Sequence, residues 1–520
     1  MKIKKFSTLI ILILCISLAF AQSKTEKKTK ELHLSLQDCI AAALENNLDL
    51  AVQVYNPELA DIEITLAKEF FMPRFSLGYN LRRTKQPSTW WIEGVKPVES
   101  DSDNYSFGIN HQLPTGGYYT LTLTGFSEDT TRAFQSVNPY YSSTLRFEFT
   151  QPLLKNFGFK ISRRQILIAQ NNYQKSLKQL KSSLIDLVYR VEEAYWNYVY
   201  SIENLKVRQK ALEWARQLLE KTKREVEVGT KAPIEILSAE AEVASREADI
   251  LQAEANVKNA EDLLKSMINL PQLDWNYKII PTDKPTFKKK EITLEEALKI
   301  AFDRRPELKQ LKIDIETRDL DLNYAKNQLL PSLNLVASFW SPGLSGDRLI
   351  YLNNNPFTGI VVDRIQGGKN EALNEAFKFK YKNWSVRLDF TLPISNLISR
   401  ANFAKAKIAL EQVQLQLKNL EQSIYLEVRN ALREVETNRK KVEAYRKSRE
   451  LAEKKLEAEE KKLSVGLSTN FQVLQYQRDL ANQLSLELKA IIDYNLSLAK
   501  LQKVLGTILE EKNIKFTTVR

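Results

Sequence analysis

Imidazole and thiol chemistry rests on four residues in this 520-residue chain: His33, His111, Cys15 and Cys39. A metal site needs several such donors at short, fixed spacing, and a nucleophile needs a base beside it. Here the histidines fall on unrelated stretches, and no Cys/His ligand spacing occurs. A Walker-type glycine loop and a G-x-S-x-G elbow are also missing from the sequence. The residues point away from an enzyme and call for no cofactor and no metal. His111 sits in an alternating stretch and reads as a polar-face strand residue. Cys39 sits on an apolar helix face and reads as a small core residue. What the chain holds in quantity is charge: 76 Lys and Arg against 64 Asp and Glu, a net +12. Three of those bases are Lys2, Lys4 and Lys5 at the N-terminus. The remainder alternate with acids along helical stretches, as on a solvated helix face, so no nucleic-acid partner is expected.

The elements that carry this charge are long. Only 15 Gly and 16 Pro punctuate the chain, and 43% of it is hydrophobic. Between Ser162 and Val228 there is neither Gly nor Pro. Leu184, Leu187, Val191, Ala194, Tyr198, Ile202, Leu205, Leu212, Ala215 and Leu218 recur there at three- and four-residue steps, the seam of a coiled coil. Gly229 and Pro233 then force a turn, and a second helix returns to Pro271. A like hairpin spans Ala401 to Leu505 and turns at Ser464-Val465-Gly466-Leu467-Ser468.

The chain is duplicated. Leu34-Ser35-Leu36-Gln37-Asp38-Cys39-Ile40-Ala41 matches Ile292-Thr293-Leu294-Glu295-Glu296-Ala297-Leu298-Lys299, with Ser35 and Thr293 as helix N-caps 258 residues apart (293 − 35). Each helix runs to a proline, Pro73 or Pro331, again 258 apart (331 − 73). Beyond it the period changes from helix to strand. Phe75, Leu77, Tyr79 and Leu81 alternate with polar residues, and so do Leu333, Leu335 and Ala337. Arg146 and Glu148, or Arg387 and Asp389, mark the polar face. Such a sheet needs a covering layer in water, or lipid on its apolar face and water on the other in an outer-membrane barrel. Trp90, Trp91, Trp340, Trp384, Tyr140 and Tyr141 fall near expected strand ends, where an aromatic girdle would lie. The first copy holds an extra hairpin, Tyr105 to Thr124, turning at Pro114-Thr115-Gly116-Gly117. The second has instead a polar stretch, Ser341 to Lys382, which reads as an exposed loop.

Residues 1–21 read as a secretory signal, with a basic start, an apolar run and an Ala19-Phe20-Ala21 cleavage site. A retained anchor would need a longer apolar run. Lipid attachment at Cys15 would need a smaller neighbour than Leu14. After cleavage one cysteine remains, so no internal disulfide can form. No later stretch is apolar enough for a membrane-spanning helix, which leaves a periplasmic protein, a secreted one or a β-barrel.

In the order and spacing of these motifs the chain resembles the TolC family of outer-membrane efflux proteins. The paired S/T-L-x-x-A/C starts, the paired helix-to-strand prolines, the paired Val-Gly tips and Gln151-Pro152-Leu153-Leu154 carry the resemblance, over Leu34 to Gly506. It implies a mainly α fold with a β region: long helical hairpins forming a periplasmic tunnel, plus a transmembrane β-barrel shared by three protomers. The implied organisation is a signal peptide (1–21), a polar lead (22–33), a first repeat (34–270), an equatorial linker (271–291), a second repeat (292–506) and a tail (507–520). The first repeat divides into helix 35–72, β region 74–152 and hairpin 162–270 with its tip at 228–233. The second divides into helix 293–330, β region 332–393 and hairpin 401–505 with its tip at 465–468. The family supplies two strands per repeat, twelve in all; the extra hairpin either adds strands or folds beside the barrel.

The resemblance further implies the exit duct of a tripartite efflux pump or a type I secretion system, in the outer membrane of a Gram-negative-type envelope and reaching into the periplasm. Its partners would be outer-membrane lipid, two further copies of itself, a periplasmic adaptor and, indirectly, an inner-membrane pump. The adaptor would dock on Val228, Gly229, Thr230, Val465, Gly466 and Leu467. The periplasmic entrance would be narrowed at Glu235, Gln472 and Gln475; the last two stand where well-studied members carry acids, so a neutral polar ring replaces an acidic one. An exported structural coiled coil or adhesin is the rival reading. It leaves the amphipathic strands at equivalent places in both repeats without a purpose. A periplasmic adaptor protein would carry one helical hairpin rather than two.

Overall fold

The computed structural model describes residues 31–91, 93–269, 275 and 277–515. The expected leader, most of the lead and the last residues of the tail lie outside them. In chain order the elements are β1 (Glu31–Leu34), α1 (Leu36–Asn46), α2 (Leu48–Glu69), β2 (Arg74–Gln86), β3 (Val98–Gln112), β4 (Tyr118–Thr130), β5 (Val137–Pro152), a short α3 (Phe159–Ser162), α4 (Arg164–Glu227), α5 (Ile234–Ile268) and β6 (Lys278–Pro281). The second half gives α6 (Leu294–Arg304), α7 (Pro306–Asn327), β7 (Ser332–Tyr351), β8 (Val361–Ile365), α8 (Lys369–Phe377), β9 (Asn383–Thr391), α9 (Leu397–Ser464), α10 (Asn470–Leu505) and α11 (Ile508–Glu511). With 64 residues, α4 is about 96 Å long at the usual rise.

The chain divides into two units. The first takes residues to Pro57, Ser176–Gln310 and those from Leu417 on. Helices α1 and α6 start on matched capping boxes: Ser35 accepts from Asp38 N–H while the Asp38 carboxylate accepts from Ser35 N–H, and Thr293 and Glu296 do the same. The single helices expected over 35–72 and 293–330 are each broken, at Asn47 and Arg305, whose backbones are extended. Asn47 then caps the next helix through a 3.0 Å bond from Leu50 N–H. At the equivalent place Pro306 opens α7, and a residue before proline is pushed out of helical geometry. The returning helix α5 ends against the first break: Asn269 donates to Asn46 O at 3.1 Å and Asn47 to Met267 O at 3.2 Å.

Two equivalent cores fill this unit. Cys39, Ala43, Val188, Val191, Tyr195, Tyr198, Leu264 and Ile268 are buried together, and so are Ala297, Ala301, Ile424, Val428, Ala431 and Tyr494. Small residues on α1 and α6 let them sit close against the long helices, and Cys39 is the positional equivalent of Ala297. The lead and the linker are more ordered than their polarity suggests: β1 and β6 pair in parallel, Glu31 with Lys278 through Leu34 with Pro281. Tyrosines on the long helices hold this ribbon and the linker. Tyr198 donates to Ile279 O at 2.6 Å, Tyr195 to Asp283 at 2.9 Å and Tyr494 to Lys288 O at 2.9 Å. The expected tail folds back as well, because Ile508 and Leu509 join the first core and Lys512 bonds Glu192 at 2.7 Å.

The second unit takes Glu58–Lys175 and Leu311–Gln416 and contains the large sheet. Its order is β2-β3-β4-β5-β7; the first nine residues of β7 then pair β9, and its last four pair β8. The stretch Ser341 to Lys382 is therefore not a loop throughout. Its first part continues β7 against β5, with Leu145 opposite Ser341 and Tyr140 opposite Gly346. Its later part forms α8, whose Ala372 and Ala376 are fully buried over Gly343, where a side chain would strike the Ala372 carbonyl.

Burial, with Asp38 and Asp283 nearby, pushes the Cys39 thiol from 9.0 up to about 12. The folded state holds the neutral thiol. Below pH 9 the thiol is neutral in the unfolded chain too, and its burial stabilises fully; between about 9 and about 12 the unfolded chain ionises first and that stability is lost. The melting temperature of the wild type should therefore fall relative to Cys39→Ala as pH rises above 9.0. A pH-independent difference would count against this account.

Candidate functional site

Both hairpin tips close in the same way. Gly229 has φ +78° and Gly466 φ +79°, the left-handed region that side chains resist. Thr230 N–H donates back to Glu225 O at 2.9 Å, and Leu467 N–H to Lys462 O at 2.9 Å. Each is the long closing bond of a Schellman turn. Open space surrounds both glycines, so backbone angle rather than crowding demands them. The turns present apolar side chains to solvent: Val228 is 74% exposed, Val465 68% and Leu467 78%.

The expected entrance residues lie just beyond the tips. Glu235 is in the first turn of α5 and half-buried. Gln472 is in the first turn of α10, where its N–H donates to the Thr469 hydroxyl, and its side chain is exposed, as is that of Gln475. Sequence reasoning missed the residues that join the two tips. Asn470, 2% exposed, donates to Thr222 Oγ1 at 2.8 Å and accepts from Lys231 Nζ at 2.5 Å. Lys231 also pairs with Glu225 at 3.1 Å. Below them Leu218, Leu456, Val473, Leu474 and Leu480 form an apolar cluster that draws on both hairpins. Further along, Arg478 of α10 pairs with Glu242 of α5, and Glu242 also pairs with Arg246 at 2.7 Å. The available signal was a flaw in the α10 pattern: Asn470 and Gln477 interrupt the buried stripe Val473, Leu474, Leu480 and Ala481.

In the second unit the register sorts side chains by chemistry. One row reads Phe75, Ile109, Leu121, Phe147, Phe339 and Trp384 across the six strands, and the next Leu77, Phe107, Leu123 and Leu145. On the other face run Ser76, Gly108, Thr122, Arg146, Trp340 and Asn383, beside Asn110, Thr120, Glu148, Ser338 and Ser385. Further along β2 and β3 the apolar face ends in ion pairs, Arg83–Asp101 at 2.5 Å and Lys85–Glu99 at 2.6 Å. Two expectations change. Trp340 is on the polar face under the Arg146 guanidinium, 5.3 Å from the ring centre, and Tyr140, in phase with Arg146 on β5 and opposite Glu128, is on that face too, so neither is a girdle residue. His111 is on the apolar face, because register sets it opposite Tyr119; its ring bonds the Tyr119 hydroxyl at 3.1 Å and Phe71 O, just past α2, at 2.9 Å. It fastens the strand to the end of the helix.

A sheet with one apolar and one polar face, in a chain that also carries two long helical hairpins, is the form of an outer-membrane duct. The family model for outer membrane efflux proteins matches residues 120–270 and 297–507. The chain belongs to the outer membrane efflux protein family. A membrane protein from Pseudomonas aeruginosa shares the fold at a TM-score of 0.65 and 17% identity, over 91% of this chain and 90% of that one. The Campylobacter jejuni CmeC outer membrane channel does so at 0.63 and 17%, over 91% and 86%. The open-state MtrE outer membrane channel of Neisseria gonorrhoeae does so at 0.58 and 20%, over 91% and 89%. No curated protein sequence matches the chain. Like other members of its family, this TolC-type protein is an exit duct for tripartite efflux and resides in the outer membrane, reaching into the periplasm.

The contacts between tips set a stability test. Glu242→Ala strands the buried Arg246 and should cost roughly 3–5 kcal/mol. Asn470→Ala removes a donor to Thr222, whose hydroxyl still donates to Leu218 O at 2.8 Å, and should cost only about 0.5–1.5 kcal/mol. Denaturant titration of the purified variants reads both; an effect within error of wild type for Glu242→Ala would mean that this pair holds nothing.

Proposed function

We propose that three copies of this chain share one transmembrane barrel and one helical tunnel, that a periplasmic adaptor docks on the two tips, and that the duct conducts passively, without catalysis of its own. An inner-membrane pump would supply the energy through the adaptor. The observation that carries the assembly is the open, two-faced sheet: among the described strands, β2 pairs only β3, and β9 pairs only β7 along its whole length. Such edges need partners in lipid. A stripe on α2, Val52, Tyr55, Leu59, Ile62 and Leu66, is exposed at coiled-coil spacing and supports helix contact with another copy.

Docking is proposed on Val228, Gly229, Thr230, Val465, Gly466 and Leu467 because two turns of one geometry, held together through Lys231 and Asn470, offer exposed apolar residues. The entrance constriction is proposed at Glu235, Gln472 and Gln475. With two exposed amides there, it would hold cations more weakly than a ring of carboxylates.

Imaging of the detergent-solubilised protein tests the assembly. Three chains with threefold symmetry are expected; a monomer or a thin two-stranded rod would sink it. Docking has its own test. Gly466→Val forces a β-branched residue to φ +79° and should impair adaptor binding and export while trimers still reach the outer membrane. Normal export in that variant would remove the tips from the docking surface.

A further inference from the structure

The strands β3 and β4 have no counterpart in the second repeat, which contributes β7 and β9 at the same level. A hairpin added to a barrel protein has three possible places: in the wall, inside the lumen, or standing clear of the membrane. Pairing bears on this first. Thirteen residues of β2 pair β3 without a shift, from Arg74–Asn110 to Gln86–Val98, and thirteen pairs join β3 to β4, again without one. Eleven join β4 to β5. The hairpin is thus continuous with the sheet on both sides.

Chemistry agrees with pairing. Phe107, Ile109, Leu121 and Leu123 continue the apolar rows of β2 and β5, while Ser106, Asn110, Thr120, Thr122 and Thr124 continue the polar face. A plug or an external flap is wetted on both sides and has no need of that alternation; a wall strand requires it. The hairpin is also long enough, at 15 and 13 residues where about 9–11 tilted residues cross a bilayer. Its turn reaches the helix-bearing end of the sheet, where Gly158 N–H donates to Thr115 O at 3.0 Å.

We propose that β3 and β4 are wall strands, so that each copy supplies six strands and the trimer closes an eighteen-stranded barrel. The count rests on the trimeric assembly proposed above. Direction permits closure: the six strands alternate, so β9 of one copy meets β2 of the next antiparallel. Barrel width grows about linearly with strand number. Six strands per copy therefore give a lumen roughly one and a half times as wide as four would, on the scale at which barrels enclose open water. The lining added by the hairpin is mostly hydroxyl and amide, from Ser102, Asn104, Ser106, Asn110, Thr120, Thr122 and Thr124. The wider exit thus suits bulky hydrophilic cargo without selecting strongly by charge.

The test uses the full-length trimer. Cryo-electron imaging should resolve eighteen strands; twelve, with the hairpin inside or outside the ring, would overturn the proposal. Single cysteines at Ile109, Leu121, Asn110 and Thr122, in a Cys39→Ala background and reconstituted in liposomes, give an independent answer. A charged, membrane-impermeant thiol reagent should label the positions of Asn110 and Thr122, with labelling lost at Ile109 and Leu121. Labelling at all four, or the reverse pattern, would overturn the wall assignment. If no trimer forms, the assembly and the number eighteen fall, while the labelling pattern still decides whether the hairpin is wall.

Discussion

Hydrocarbon offers no partner to a backbone N–H or C=O, and that constraint governs the large sheet of this protein. Inside the sheet each strand is satisfied by its neighbours. Among the described residues β2 and β9 each leave one side of the ladder open, and only another strand can close it. The apolar and polar rows gain their meaning from the same condition. One face can meet lipid and the other water only if the edges are closed into a ring. An insertion in such a wall must come as a pair of strands, since a single one would reverse the direction of everything after it. The hairpin β3–β4 meets that requirement, and its alternation is in phase with the strands on either side.

The helical unit solves its own problem twice. Each repeat starts on a capping box, breaks one turn-set later, and sets small residues such as Cys39, Ala43, Ala297 and Ala301 against a long helix. The breaks at Asn47 and Arg305 arise from different residues, an asparagine that caps and a proline that follows. The same geometry reached by unlike chemistry indicates that the joint itself is what the fold needs. The ribbon of β1 and β6 is held there by tyrosine hydroxyls from α4, and the linker after it by Tyr494 of α10.

The tips show how a turn and a contact are separable. Glycine at φ near +80° closes each hairpin whatever lies around it. What joins the hairpins is a set of polar groups, the buried Thr222, Asn470, Glu242 and Arg246 with the half-buried Lys231. Buried polar groups are costly unless every one is matched, so they fix one arrangement of the two hairpins more sharply than leucines alone would.

Much of this was written in the sequence. Periodicity gave the long helices, because a seam at three- and four-residue steps over some sixty positions has no other regular solution. The 258-residue offset gave the duplication, and Gly229, Pro233 and Gly466 gave the turns. Alternation gave the two-faced strands. Tertiary structure decided what depends on partners distant in sequence. Register placed Trp340 on the polar face and His111 on the apolar one, since a shift of one residue exchanges the faces. Pairing with β5 turned the start of a polar stretch into strand, and packing on Gly343 formed α8 from its end. Partners far away in the chain, Thr222 for Asn470 and Arg478 for Glu242, supplied the contacts between the tips. A local pattern records which way a side chain must face; it holds no record of what will be found there.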